Sequence, residues 1–84
     1  MIRKIISPGS LGAALREVRK QKGLNQTVAG KLVGIDQATV SRVEQGSGGT
    51  QLDTLFRMLA ALELEITIQP RHQTEDKNEG GDNW

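Results

Sequence analysis

LNQTVAGKLVGIDQATVSRVE, residues 24–44, decides the fold of this chain. It reads as two short helices joined by a tight turn. Asn25 stands where a side-chain oxygen caps the first helix, and Asp36 where one caps the second, QATVSRVEQ. Such caps satisfy backbone N–H groups that a helix leaves without partners. Gly34 followed by Ile35 supplies the turn between them. On the second helix Val40 and Val43 point one way, into a core. Gln37, Ala38, Thr39, Ser41 and Arg42 point the other. A short helix with an apolar back and a small, hydrogen-bonding front suits the major groove of DNA. An ordinary helical hairpin accounts for Gly34 and the valines. It does not account for a front face that lacks the long Glu and Lys residues of a solvated helix.

Outward from this stretch, Ser7 and Pro8 mark the start of a preceding helix, a cap followed by proline in the first turn. Leu11, Leu15 and Val18 form its core stripe and Gly23 ends it. Arg16, Arg19, Lys20 and Lys22 lie near its end, within expected reach of a phosphate backbone, and Gln26 at the start of the next helix is similarly placed. Such contacts fix register and carry no sequence information. After the flexible Ser47, Gly48 and Gly49, Thr50 is expected to cap a fourth helix, QLDTLFRMLAALE, with Asp53 in its first turn. Leu52, Leu55, Phe56, Leu59 and Leu62 give that helix a wide apolar face, and Phe56 reads as core.

A strand follows. Leu64, Ile66 and Ile68 alternate with Glu63, Glu65, Thr67 and Gln69 until Pro70 stops the run. A lone strand leaves its ladder groups unpaired. The simplest remedy is the same strand of a second copy, antiparallel across a two-fold axis, so Leu64, Ile66 and Ile68 are the expected dimerisation residues. The alternative is pairing within the chain to residues 3–6, Arg-Lys-Ile-Ile. We therefore expect one domain over residues 1–69 and a tail over residues 70–84. The tail is polar, charged and without periodicity, so it is expected to be disordered when free. It ends in the chain's single tryptophan, Trp84. That residue is either incidental or an anchor for a partner, since Trp dominates binding hot spots.

Eighty-four residues allow one small domain with a marginal core, which also favours an oligomer. There is no cysteine and one histidine, so neither a disulfide framework nor a zinc site is expected. No metal or other cofactor is implied. No apolar run approaches the ~20 residues of a membrane span, and the N-terminal MIRKIIS is too short for a signal peptide. A cytoplasmic location is expected. The net charge of +1 hides an asymmetry: residues 1–42 carry eight basic groups against Glu17 and Asp36, whereas the last thirteen carry four acidic groups against Lys77. A basic body points to a polyanion partner. An enzyme is excluded by the lack of a nucleophile–base pair, a metal cluster or a phosphate-cradling loop. The glycines at 46, 48 and 49 fall between helices and not after a strand.

The two-helix unit resembles the helix-turn-helix of the Cro/C1-repressor family over roughly residues 11–64. The carriers are Gln26, Gly34, Ile35 and the run Gln37, Ala38, Thr39, Val40, Ser41, Arg42, Val43, Glu44. With Ser7, Pro8, the Leu62-Glu63-Leu64 segment, the single strand and the terminal Trp84, the chain is further similar to antitoxins of the HipB type from HipBA toxin–antitoxin modules. The resemblance implies an all-α, lambda-repressor-like bundle of four to five helices plus one C-terminal strand pairing across a dimer. It implies a bacterial, nucleoid-associated protein that binds palindromic operator DNA, represses its own operon and neutralises a HipA-like Ser/Thr kinase toxin through Trp84.

Within that frame Gln37, Ala38, Thr39, Ser41 and Arg42 are the expected base contacts, and Arg19, Lys22 and Gln26 the expected phosphate contacts. Two features depart from the family. Asp36 occupies a position that is often basic, and Ala29 and Gly30 replace the usual Leu-Ala pair while Val28 and Leu32 take positions that are usually polar. The second departure implies either a repacked helix, which we favour, or an exposed apolar patch for a protein contact. Two other functions stay open: a stand-alone repressor without a toxin partner, and an interaction module that does not bind DNA.

Overall fold

The computed structural model describes residues 2–71. Four helices follow in order: α1 (Pro8–Gln21), α2 (Gln26–Lys31), α3 (Gln37–Glu44) and α4 (Leu52–Ala61). The capping residues of the first three are those the sequence indicates. Ser7 caps α1 by accepting from the Ser10 amide, and the Ser7 amide donates in turn to the Ser10 hydroxyl oxygen. Asn25 accepts from the Val28 amide at 2.8 Å, and Asp36 from the Thr39 amide at 2.8 Å.

The fourth cap differs from expectation. Gln51, not Thr50, is the N-cap of α4 and makes no side-chain cap. The Thr50 hydroxyl instead donates to the Ser47 carbonyl, closing the glycine-rich connection. Asp53 does sit in the first turn, where it pairs with Arg57 one turn on.

The core joins all of the major pieces. Leu15 and Val18 of α1, Ile35 of the turn, Val40 and Val43 of α3, Met58 and Leu59 of α4, and Leu62 at the α4 C-cap are buried together. Leu11, Leu24, Val33, Leu55 and Leu64 pack at its edge. The α2–α3 turn holds its angle because Gly34 adopts a φ of +75°, open chiefly to glycine, and because the Ile35 amide bonds back to the Gly30 carbonyl at 2.8 Å. Ile35 thereby drops into the core and sets the start of α3.

Two expectations about apolar residues are overturned. Phe56, read as core, is 54% exposed, and Leu52 one turn before it is 71% exposed. A ten-residue helix has room for only one stripe against this small core, and Leu55, Met58 and Leu59, with Leu62 at the C-cap, fill it. Likewise α2 is not repacked to hide Val28 and Leu32, which are both exposed. It buries Ala29 and Gly30 instead.

Residues 65–69 form no helix, and among the described residues no β-ladder is present, so pairing to residues 3–6 within the chain is not formed. Leu64 leans on the core while Ile66 and Ile68 face outward. The end of the proposed tail, with Trp84, lies outside the described residues.

Candidate nucleic-acid interface

The front of α3 is presented as its period dictates. Gln37, Ala38 and Arg42 are exposed and Thr39 and Ser41 half-buried, while Val40, Val43 and Glu44 face inward. The five expected base-contact residues therefore share one outward surface. Arg42 donates to the Thr39 hydroxyl at 3.2 Å, and Gln45 donates to the Ser41 hydroxyl at 3.1 Å. Asp36 stays at the helix entrance. Hydrogen bonding by Thr39 lowers its pKa first of all, a little burial opposes this, and the charge of Arg42 adds to it. An ionised cap is thus held at the helix N-terminus, where negative charge is favoured.

The expected phosphate contacts divide. Arg19 is not at the surface. It is 7% exposed, and its guanidinium forks onto the Glu44 carboxylate at 2.6 and 3.0 Å while also donating to the Leu24 carbonyl at 2.8 Å. With its donors used inside the protein, Arg19 is a structural residue and not a phosphate contact. Lys22 remains at the rim but pairs with Glu63 at 3.0 Å. Gln26 lies at the start of α2, half-buried, and is bonded on both sides: its Nε2 donates to Glu44 Oε1 at 3.0 Å, and its Oε1 accepts from Gln37 Nε2. The second N–H of Gln26 Nε2 has no hydrogen-bond partner among the described residues. Arg16 and Lys20 of α1 are exposed and line a shallow groove with Arg3 and Glu17, which pair with each other.

Glu44 is the residue that sequence reasoning left without a role. A signal was present. Arg19 follows Leu15 by four on the α1 core stripe, and Glu44 follows Val40 by four on the α3 core stripe. Opposite charges at core spacing on two packed helices are the signature of a buried ion pair. Burial pushes the Glu44 carboxyl up, but hydrogen bonds from Arg19 and Gln26 and the charges of Arg19 and Arg16 outweigh it, and the net shift is downward. A carboxylate depressed in the folded state contributes stability above its unfolded pKa and loses it as pH falls through the folded one. Urea midpoints measured from neutral pH down through the carboxylate range should therefore decline, and decline less steeply in Glu44→Gln. Equal acid sensitivity in both chains would remove Glu44 as a cause.

Among the described residues no group of acidic or histidine side chains is placed to hold a metal, and no helix is long and apolar enough to cross a membrane.

A helix-turn-helix family model (HTH_3) matches residues 15–69. Antitoxin HipB of Escherichia coli K12 is 43% identical over 65 residues, 77% of this chain and 74% of that protein. Among solved structures, a complex of HipB with a 20-mer named O2 superposes with a TM-score of 0.80 at 39% identity, covering 84% of this chain and 99% of that one. A HipA-HipB-O2-O3 complex gives 0.78 at 40% identity, over 83% and 99% of the two chains.

Proposed function

The chain belongs to the Cro/C1-type helix-turn-helix family and, within it, to the HipB-type antitoxins, and on that premise we propose that it is a dimeric, sequence-specific DNA-binding antitoxin. It represses its own operon and binds and neutralises a HipA-like Ser/Thr kinase toxin; that HipB of the relatives is found in a complex with HipA supports the partner. The observation that carries this reading is the outward face of α3, small and polar in front and fastened from behind by Val40, Val43 and Glu44.

In this reading Gln37 contacts a base edge, because an amide can bond adenine through two hydrogen bonds. Ala38 and Thr39 pack on a thymine methyl, and Ser41 and Arg42 reach base or phosphate. Lys22 and Gln26 hold the backbone, Lys22 by exchanging Glu63 for a phosphate. Leu64, Ile66 and Ile68 pair with the same strand of a second copy. The dimer sets two recognition helices in successive major grooves about one turn apart. Residues 1–69 form this unit and residues 70–84 the tail that carries Trp84 to the toxin, in the cytoplasm and on the nucleoid.

The toxin arm is tested by a native pull-down of the full-length chain beside Trp84→Ala, with mass spectrometry of what is retained. A kinase held by the first and lost from the second is the expected result. A kinase held equally by both would discard Trp84 as the anchor. No kinase with either, from cells that express the neighbouring gene, would leave a stand-alone repressor.

A further inference from the structure

Asp36 stands at the entrance of α3, next to Gln37, and both residues are exposed. Capping alone does not require a charge there, because Asn and Ser cap a helix about as well as Asp. The carboxylate accepts from the Thr39 amide at 2.8 Å. Arg42 donates to the Thr39 hydroxyl at 3.2 Å, which leaves the hydroxyl hydrogen for Asp36. Thr39 first, and then the charge of Arg42, hold the carboxyl ionised. A carboxylate has about four acceptor sites, and Thr39 takes only part of them. The rest are open on the side of α3 that carries Gln37. The residues that open a recognition helix are the ones that meet base edges.

We propose that Asp36 is a specificity-determining residue that reads cytosine beside the base pair met by Gln37, accepting from the cytosine N4 amino group and excluding guanine from that place. The proposal rests on the reading above, in which α3 lies in the major groove. A carboxylate only accepts, so it needs a donor on the base edge. In the major groove the donors are cytosine N4 and adenine N6, while guanine N7 and O6 and thymine O4 all accept. Adenine N6 lies between two acceptors, its own N7 and the O4 of its thymine. Cytosine N4 has an acceptor on one side only, the O6 of its guanine. Cytosine therefore receives a carboxylate with the least repulsion. The contact also selects by exclusion. A negative charge among phosphates weakens binding to every sequence, and only a donor at the right place offsets it. Asp36 thus gives up affinity at most sites and gains discrimination at one.

The test measures binding of the full chain, Asp36→Asn and Asp36→Ser by fluorescence anisotropy. The duplexes carry each of the four bases in turn at the pairs flanking the one where Gln37→Ala loses discrimination. Melting temperatures taken alongside show that the cap persists, since both replacements are good N-caps. The two variants differ in what they offer the groove. Asn gives its oxygen to the Thr39 amide and turns its NH2 outward, so it donates where Asp accepts. Ser is too short to do both.

The unaltered chain should prefer cytosine to guanine at one flanking pair by about tenfold or more, the discrimination of one good base contact. In Asp36→Ser that ratio should fall to about threefold or less. In Asp36→Asn it should reverse in favour of guanine, with tighter binding to duplexes in general. A residue that only caps would leave the ratios unchanged in both variants, and a residue that only repels phosphate would raise all affinities alike. Either result would overturn the proposal, and so would a preference of the unaltered chain for guanine at both flanking pairs. Binding to every duplex that ignores both salt and sequence would overturn the DNA reading itself, and the proposal with it.

Discussion

Arg19→Ala is expected to destabilise the protein by about 3–5 kcal/mol, the usual cost of leaving one charge of a buried ion pair without its partner. Glu44 would then lie 7% exposed with only Gln26 to satisfy it, and the Leu24 carbonyl would lose its donor as well. Natural domains have stabilities of about 5–15 kcal/mol, and a chain this small belongs near the bottom of that range. The variant should therefore be largely unfolded near body temperature. Glu44→Ala should behave similarly, and the two losses should not add, because the second removes a charge already orphaned by the first. Urea or thermal unfolding followed by far-ultraviolet circular dichroism measures this directly. If Arg19→Ala kept the midpoint and only flattened the salt dependence of DNA binding, the guanidinium would be a phosphate contact and the ion pair incidental.

The second large effect concerns a glycine that looks like a weakness. Gly30 lies in α2, where glycine costs about 1 kcal/mol relative to alanine in an exposed helix. On propensity alone Gly30→Ala should stabilise. The structure predicts the opposite. A Cβ at position 30 would run into the Ile35 carbonyl oxygen and crowd the Val40 side chain. Neither yields easily, since the first is the backbone of the α2–α3 turn and the second is fully buried at the root of α3.

Overpacking of this kind costs about 1–3 kcal/mol, and a backbone clash belongs at the upper end. The displaced turn would also tilt α3, so DNA affinity should fall further than stability alone explains. Gly12 is a second site of close approach, where a Cβ would meet the Val43 and Glu44 carbonyls. Gly48→Ala, which meets nothing, is the control and should be nearly silent. A Gly30→Ala protein with a raised melting temperature would contradict the packing account.

The helix-turn-helix was legible because its determinants are local. Asn25, Asp36 and Gly34 act on their own neighbours within a few residues, and the valines of α3 repeat at the helical period. Residues 24–44 therefore fold as they read. Legibility failed where the answer depended on what lies across the core. Arg19 reads as a basic surface residue near a phosphate until α3 brings Glu44 beside it. Gly30 reads as a defect until the turn doubles back onto it. Phe56 reads as core because its spacing is right, but the spacing marks an apolar face without saying how much of it one chain can cover. Thr50 has the chemistry of a cap, yet its hydroxyl is drawn to the Ser47 carbonyl. At the front of α3, Gln37 and its neighbour Gln26 were recognisable as candidates by residue type and place. Their coupling through Glu44 was not, because it crosses from one end of α3 to α2 and back to the other end.

The central claim is that α3 reads DNA, and it is tested most directly by anisotropy titrations of the full-length chain on its own promoter region across a salt series, beside Gln37→Ala. The account predicts affinity that falls linearly with salt on logarithmic axes, as phosphate contacts require. It also predicts a loss of about 1–3 kcal/mol in Gln37→Ala, confined to one base position per half-site. Binding that ignores salt, or a Gln37→Ala protein with unchanged ratios between operator and mutant sites, would contradict it.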